Sequence, residues 1–285
     1  ENLRFHAEEE KNDAGFAEAL ARLGDCFVND AFGTAHRAHA STEGVTHFLK
    51  PAVAGFLMQK ELDYLGTALD HPKRPFVAVL GGSKISGKID VITVLLGKVD
   101  RLLVGGAMMF TFLKAQGKPV GRSLVEDDRL ELARQLLADA ARRNVELVLP
   151  TDCIASASPD GTARASAKRV DQLHGDEMGV DIGPESLALF AAKLKDAMTV
   201  VWNGPMGIFE VPAFAAGTMG VAKAIAELKA GGAVTVVGGG DSVAAVQQSG
   251  LAERFTHLST GGGASLEFLE GKVLPGVAAL EDAGA

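Results

Sequence analysis

Short aliphatic and β-branched runs alternate along the chain with longer stretches in which apolar side chains recur every three or four positions. The runs predict strands over 25–29, 76–80, 101–104, 146–149, 199–202, 233–237 and 256–258. The stretches between them predict helices. Over 127–143, Leu130, Ala133, Leu136, Leu137 and Ala140 share one face, and Pro184-Glu185 opens another helix with proline in its first turn. This alternation predicts repeated βαβ units and a parallel sheet. A helix over 54–69 runs up to His71-Pro72-Lys73-Arg74-Pro75, which marks a boundary. Before it, one clear strand is too little for a doubly wound sheet; after it, the alternation continues to about residue 269. The expected division is 1–72, 73–270, and a Gly/Pro/Ala-rich tail over 271–285 that returns to pack on the first part.

At 47% hydrophobic and 22% charged, the 285 residues have the composition of a globular protein rather than a disordered one. No run of ~18 apolar residues predicts a transmembrane helix. With 28 basic against 36 acidic side chains the net charge is −8, which argues against nucleic-acid and membrane-surface partners. Cys26 and Cys153 lie far apart in no metal-type spacing, so a reduced cytoplasmic setting is expected. The chain opens at Glu1 with neither an initiator Met nor a signal-peptide pattern, and a trimmed terminus and a start inside a domain both fit. The 34 glycines turn the expectation toward a small-molecule ligand.

Where the glycines fall matters more than their number. Gly81-Gly82, Gly105-Gly106, Asn203-Gly204-Pro205, Gly238-Gly239-Gly240 and Gly261-Gly262-Gly263 each follow an expected strand. In a parallel sheet these turns share the carboxyl edge, where ligands bind at a topological switch point. Glycine lets backbone N–H groups approach an anion there, and a following helix adds its positive end. One such turn needs no more than tight geometry to explain it, but five in one sheet favour a phosphate site.

Gly82-x4-Gly87-Lys88 nearly matches a P-loop, but Ile89 stands where a hydroxyl must reach Mg²⁺. Lys84 and Lys88, at i and i+4, are expected on one side of a helix start. Cations are unfavourable at that end, so an anion is expected to join them. Gly238-Gly239-Gly240-Asp241-Ser242 begins like a dinucleotide fingerprint and fails at Val243. Asp241 fits a helix N-cap and an Mg²⁺ ligand equally well. In the stretch 28–40 (VNDAFGTAHRAHA), His36 and His39 lack a third metal ligand, while Arg37 suits a phosphate or carboxylate clamp. Arg4 has the same potential. Trp202 is expected to pack at a strand end and Asp160-Gly161 to make a hairpin or surface turn. Neither a nucleophile elbow nor a His-Glu-x-x-His motif is present.

These stretches, in this order, resemble the phosphoglycerate kinase family. The match takes in Glu1-Asn2-Leu3-Arg4-Phe5-His6, residues 28–40, Leu80-Gly81-Gly82-Ser83-Lys84 and Gly105-Gly106-Ala107-Met108-Met109. It continues through Asp181-Ile182-Gly183-Pro184-Glu185-Ser186, Trp202-Asn203-Gly204-Pro205-Met206-Gly207-Ile208-Phe209-Glu210, Gly238-Gly239-Gly240-Asp241-Ser242 and Ser259-Thr260-Gly261-Gly262-Gly263. It covers essentially the whole chain. The resemblance implies an α/β protein with two Rossmann-like three-layer αβα domains, parallel sheets and a joining helix, the first domain being incomplete. It implies reversible phosphoryl transfer between 1,3-bisphosphoglycerate and ADP, giving 3-phosphoglycerate and ATP, with Mg²⁺, in a cytoplasmic monomer.

By the same resemblance, Arg4 and Arg37 clamp the phosphoglycerate, and Lys84 and Lys88 reach the nucleotide phosphates. Gly81, Gly82, Gly105, Gly106, Gly179 and Val180 line the adenine pocket, Asn203 and Pro205 sit near the phosphates and sugar, and Glu210 bonds the ribose. Asp241 holds Mg²⁺, and Gly239, Gly240 and Ser242 cradle the phosphates. Lys84, Arg37, Gly240 and Gly263 surround the transferring group. The acceptor is an ionised carboxylate, so no general base is expected; alignment and charge neutralisation suffice.

Gly87 departs from the family, in which an acidic residue often precedes the second lysine. The family's N-terminal portion, with further basic residues of the phosphoglycerate site and most strands of that sheet, has no counterpart in this sequence. The chain by itself is therefore expected to bind nucleotide and transfer little. A non-catalytic nucleotide-binding fragment is the second reading. A P-loop-like NTPase is disfavoured by Ile89, and a dinucleotide oxidoreductase by Val243.

Overall fold

The computed structural model of the chain describes residues 1–281. The first elements are α1 (Ala7–Glu10), α2 (Ala14–Ala21), β1 (Phe27–Asn29), β2 (Ala52–Ala54) and α3 (Phe56–Asp70). Then come β3 (Phe76–Leu80), α4 (Ile89–Leu95), β4 (Arg101–Val104), α5 (Met108–Ala115), α6 (Leu130–Arg142), β5 (Glu146–Val148), β6 (Asp152–Ser156), β7 (Ala165–Arg169) and β8 (Met178–Ile182). After these follow α7 (Pro184–Leu194), β9 (Thr199–Asn203), α8 (Ala216–Leu228), β10 (Val234–Gly238), α9 (Gly240–Gln248), β11 (His257–Leu258), α10 (Gly263–Leu269) and α11 (Pro275–Ala278). The chain divides into two compact units, one of Glu1–Thr67 with the chain from Ser259 onward, the other of Ala68–Leu258.

The larger unit is built on a six-stranded parallel sheet in the order β11-β10-β9-β3-β4-β5. Every residue of β3 (FVAVL) and β9 (TVVWN) is buried. Strands covered on both faces read as unbroken apolar runs, which is why these two were legible in the sequence. The chain runs outward from β3 through β4 to β5, then returns to the other side of β3 with β9. The strand order therefore reverses between β3 and β9, and a crevice opens at their carboxyl ends.

A second sheet, β7-β6-β8, is antiparallel and carries a register shift at Ile154/Ala155. The parallel pattern expected from the sequence does not contain it. Its strands, DCIAS, ASAKR and MGVDI, are polar or glycine-broken and present no continuous apolar run. Asp160 lies in the turn joining β6 to β7, where it accepts hydrogen bonds from Ser158 Oγ (2.6 Å) and Thr162 N (2.9 Å). From β6, Asp152 reaches the start of α7, where Gly183 offers no capping side chain. Its buried carboxylate accepts from Glu185 N (3.0 Å) and Ser186 N (2.7 Å), and Ser186 Oγ donates to it at 2.6 Å.

In the smaller unit β1 and β2 form a two-stranded parallel sheet, and β2, three residues long, was too short to be expected. Asp30 Oδ1 accepts from Leu57 N (2.7 Å) and Met58 N (3.0 Å) and so caps α3 from the end of β1. The tail lies against the same strands: Asn29 Nδ2 donates to Gly276 O (3.0 Å), and Glu281 N to Ala52 O (2.8 Å). Residues 282–285 of the expected tail lie outside the described residues. Among the described residues, no helix is long and apolar enough to cross a membrane.

The Asp152 cap is a stability element that fixes the start of α7. Asp152→Ala is expected to cost about 2 kcal/mol, the sum of a lost cap and unpaired buried N–H groups. Urea unfolding measures it, and a loss below ~0.5 kcal/mol contradicts the cap.

Candidate functional site

At the β3/β9 reversal, three strand-following turns are joined main chain to main chain. Gly81 N donates to Asn203 O (3.0 Å), Gly82 N to Pro205 O (2.9 Å) and Gly106 N to Met206 O (3.0 Å). A Cβ on Gly81 would lie 2.0 Å from Pro205 O, and one on Gly106, at φ +65°, 2.4 Å from Gly82 N. Glycine is required here for close approach. The N–H groups of Gly81, Gly82 and Gly106 are thereby spent inside the protein, as is that of Gly105 on Leu80 O (2.8 Å). This corrects the expectation that the β3 and β4 turns offer their N–H groups to an anion.

A different set of donors is left for an anion. Lys88 Nζ donates to Asn203 O (3.2 Å) and to Asn203 Oδ1. Burial pushes its pKa down to about 8, with Asp241 pulling the other way. The amide nitrogen of Asn203 is buried and has no hydrogen-bond partner, and Gly239 lies beside it, where a Cβ would be 3.2 Å away. Gly239, at φ +90°, is the N-cap of α9, and the first N–H groups of that helix have no intrahelical acceptor. Asp241 is in the first turn of α9 and is not its N-cap. Ser242 Oγ accepts from Gly204 N at 2.6 Å, so this buried hydroxyl pins α9 to the turn after β9. Lys84 is exposed and precedes a 3₁₀ turn over Ser86–Lys88, while the α-helix begins at Ile89. The two lysines therefore share no helical face, contrary to the i, i+4 expectation.

A cavity of 490 Å³ opens next to this cluster, within the size range of small-molecule sites. Gly82, Gly106, Gly179, Val180, Pro205, Glu210 and Asp241 line it, together with Phe110, Met178 and Met206. Gly81, Gly105, Lys84, Lys88, Asn203, Gly239, Gly240 and Ser242 do not. Gly179 packs so closely on the Phe110 ring that a Cβ would meet it at 1.9 Å.

The sequence reading assigned no role to the Asp181 carboxylate, which also borders the cavity. It is buried and accepts from Gly217 N (2.6 Å) and Ile182 N (2.9 Å). Burial pushes its pKa up to about 7 against the pull of those two N–H groups. The motif around Asp181 was visible, but nothing in the sequence distinguishes a buried carboxyl from an exposed one. Trp202 is fully buried, with Nε1 donating to Gly204 O at 2.8 Å, a packing role as expected.

The smaller unit holds Arg4, Arg37 and Gly263. Arg37 Nε donates to His36 Nε2 at 3.3 Å, and a Cβ on Gly263 would lie 3.2 Å from that nitrogen. His36 Nδ1 is buried without a partner. Arg4 pairs with Glu10 at 2.7 Å. The pKa of His39 is lowered by burial and by Arg4 and Arg37, against Glu9 and Glu10. Among the described residues no three His, Cys, Asp or Glu side chains gather in a metal-binding group.

The sequence profile of the phosphoglycerate kinase family matches residues 1–272. A phosphoglycerate kinase of Chlorobium phaeobacteroides (strain BS1) is 60% identical over 282 residues, covering 99% of this chain and 71% of that protein. A chloroplastic phosphoglycerate kinase of Volvox carteri is also 60% identical over 282 residues, covering 99% of this chain and 61% of that one. The solved structure of the phosphoglycerate kinase from Coxiella burnetii superposes with a TM-score of 0.91 at 46% identity, covering 98% of this chain and 71% of that chain.

Lys88 gives the cluster a pH signature. Its folded pKa of about 8 lies below its ordinary 10.5, so burying the cation costs stability in full below about pH 8. That cost is relieved as pH rises from about 8 toward 10.5. Across this window the unfolding free energy of the wild type should gain on that of Lys88→Met. Parallel curves in urea titrations would show that Lys88 is not desolvated.

Proposed function

Because this chain belongs to the phosphoglycerate kinase family, we propose that its larger unit holds the nucleotide for phosphoryl transfer at the β3/β9 reversal. The observation that carries this is the Lys88–Asn203 pair: a desolvated ammonium beside a buried amide that lacks an acceptor. A phosphate chain satisfies both, since its oxygens accept from the free amide and restore the lysine's charge.

The base occupies the 490 Å³ cavity lined by Gly106, Phe110, Gly179 and Val180, and Glu210 meets the ribose. The phosphates then run toward Lys84, Lys88, Gly239 and Gly240, with Asn203 donating and Pro205 bordering the sugar. Mg²⁺ fits this donor set, because it is commonly held by one or two carboxylates together with substrate phosphates rather than by a protein cage. Asp241 is the carboxylate that would hold it, and the ion when bound neutralises phosphate charge. The acceptor in the family reaction is the ionised carboxylate of 3-phosphoglycerate, so this chain's residues need remove no proton. Their work is to align donor and acceptor and to neutralise charge on the moving group. In the smaller unit Arg4 and Arg37 are the groups suited to phosphoglycerate, Arg4 exchanging or sharing its bond to Glu10, with Gly263 beside His36, the residue Arg37 bonds. The finer setting we assign is a cytoplasmic monomer, in keeping with the free cysteines Cys26 and Cys153.

Calorimetric titration tests the nucleotide reading. Mg-ADP should bind and NADH should not; the reverse, or binding of neither, overturns it. Asp241→Asn should weaken Mg-ADP on the order of tenfold and leave metal-free ADP within about twofold. Equal losses for both would remove Asp241 from the metal.

A further inference from the structure

The segment between α5 and α6 lends Arg122 and Leu124 to the lining of the base cavity and is hydrogen-bonded to the site at two places. Ser123 Oγ accepts from Gly179 N (2.9 Å) on the wall of the base cavity, and Ser123 is itself buried. Three residues on, Glu126 Oε2 accepts from Ile85 N (2.6 Å) and Ser86 N (3.0 Å), the main chain between Lys84 and Lys88. Glu126 is anchored in turn, since its own N–H donates to Thr111 Oγ1 on α5 (3.2 Å). One carboxylate oxygen thus takes two consecutive main-chain N–H groups from a loop some forty residues earlier. Burial opposes ionisation of Glu126, but bonds from Ser86 and Ile85, together with Lys84, hold its pKa below the ordinary range.

We propose that Glu126 is the positioning residue of the lysine loop, fixing Ile85 and Ser86 so that Lys84 and Lys88 are presented to the nucleotide phosphates. With Ser123 it makes residues 123–126 a strap joining that loop to the wall of the base cavity. This rests on the reading of the loop as the phosphate site. The same carboxylate lies within the electrostatic reach of Lys84. Without the carboxylate the N–H groups of Ile85 and Ser86 lose their acceptor, and a bound nucleotide would have to order the loop around them at an entropic cost.

The experiment compares Mg-ADP with adenosine, which has the base and sugar but no phosphate. Glu126→Ala should weaken Mg-ADP by about tenfold while leaving adenosine within about twofold. Glu126→Gln, whose amide oxygen can still accept both N–H groups, should recover most of the loss. Glu126→Asp, one methylene shorter, should not. Unchanged Mg-ADP affinity in Glu126→Ala overturns the proposal. So does a fall of Mg-ADP and adenosine together in both the Ala and Gln variants, which would mean general damage rather than a positioned loop. If wild type binds adenosine no more weakly than Mg-ADP, the phosphate reading itself falls and takes this inference with it.

Discussion

The main-chain seam among the turns after β3, β4 and β9 is the constraint on which the larger unit's site depends. Three hydrogen bonds, from Gly81 to Asn203, Gly82 to Pro205 and Gly106 to Met206, hold the turns too close for any side chain at Gly81 or Gly106. Because the seam fixes Asn203, Lys88 finds a carbonyl and an amide oxygen at a set place. Because it consumes the glycine N–H groups, the donors left over are the Asn203 amide nitrogen, the neighbouring Lys88 and the start of α9.

Buried or part-buried carboxylates then organise what surrounds the seam. Asp152 caps α7, Asp181 takes the N–H of Gly217 at the start of α8, and Glu126 takes those of Ile85 and Ser86. Each accepts main-chain donors that local sequence leaves unpaired, and each comes from a segment distant in the chain.

The sequence made the parallel sheet legible because β3 and β9 are buried on both faces and read as unbroken apolar runs. The turns were legible for the same reason, since glycine marks the end of each such run. The antiparallel sheet was not, because Ala165–Arg169 alternates weakly and Met178–Ile182 is interrupted by Gly179. Of the site, Lys88, Asn203 and Asp241 were found by motif, and the structure brings them together. What stayed hidden was direction. The consumption of the glycine N–H groups, the pairing of Arg4 with Glu10 and the reach of Glu126 across to Ile85 depend on tertiary placement, which no local pattern encodes.

On the proposed reading, a polyanion completes the Lys88–Asn203 pair. The direct measurement is the heat of Mg-ADP binding at about pH 9, one unit above the Lys88 pKa, in two buffers of different ionisation enthalpy. Lys88, with its pKa lowered to about 8, is largely neutral there, and phosphate oxygens beside it should restore its proton. Net uptake approaching one proton per nucleotide is expected in the wild type and none in Lys88→Met. Heats that do not differ between the buffers would place the phosphates away from Lys88 and contradict it.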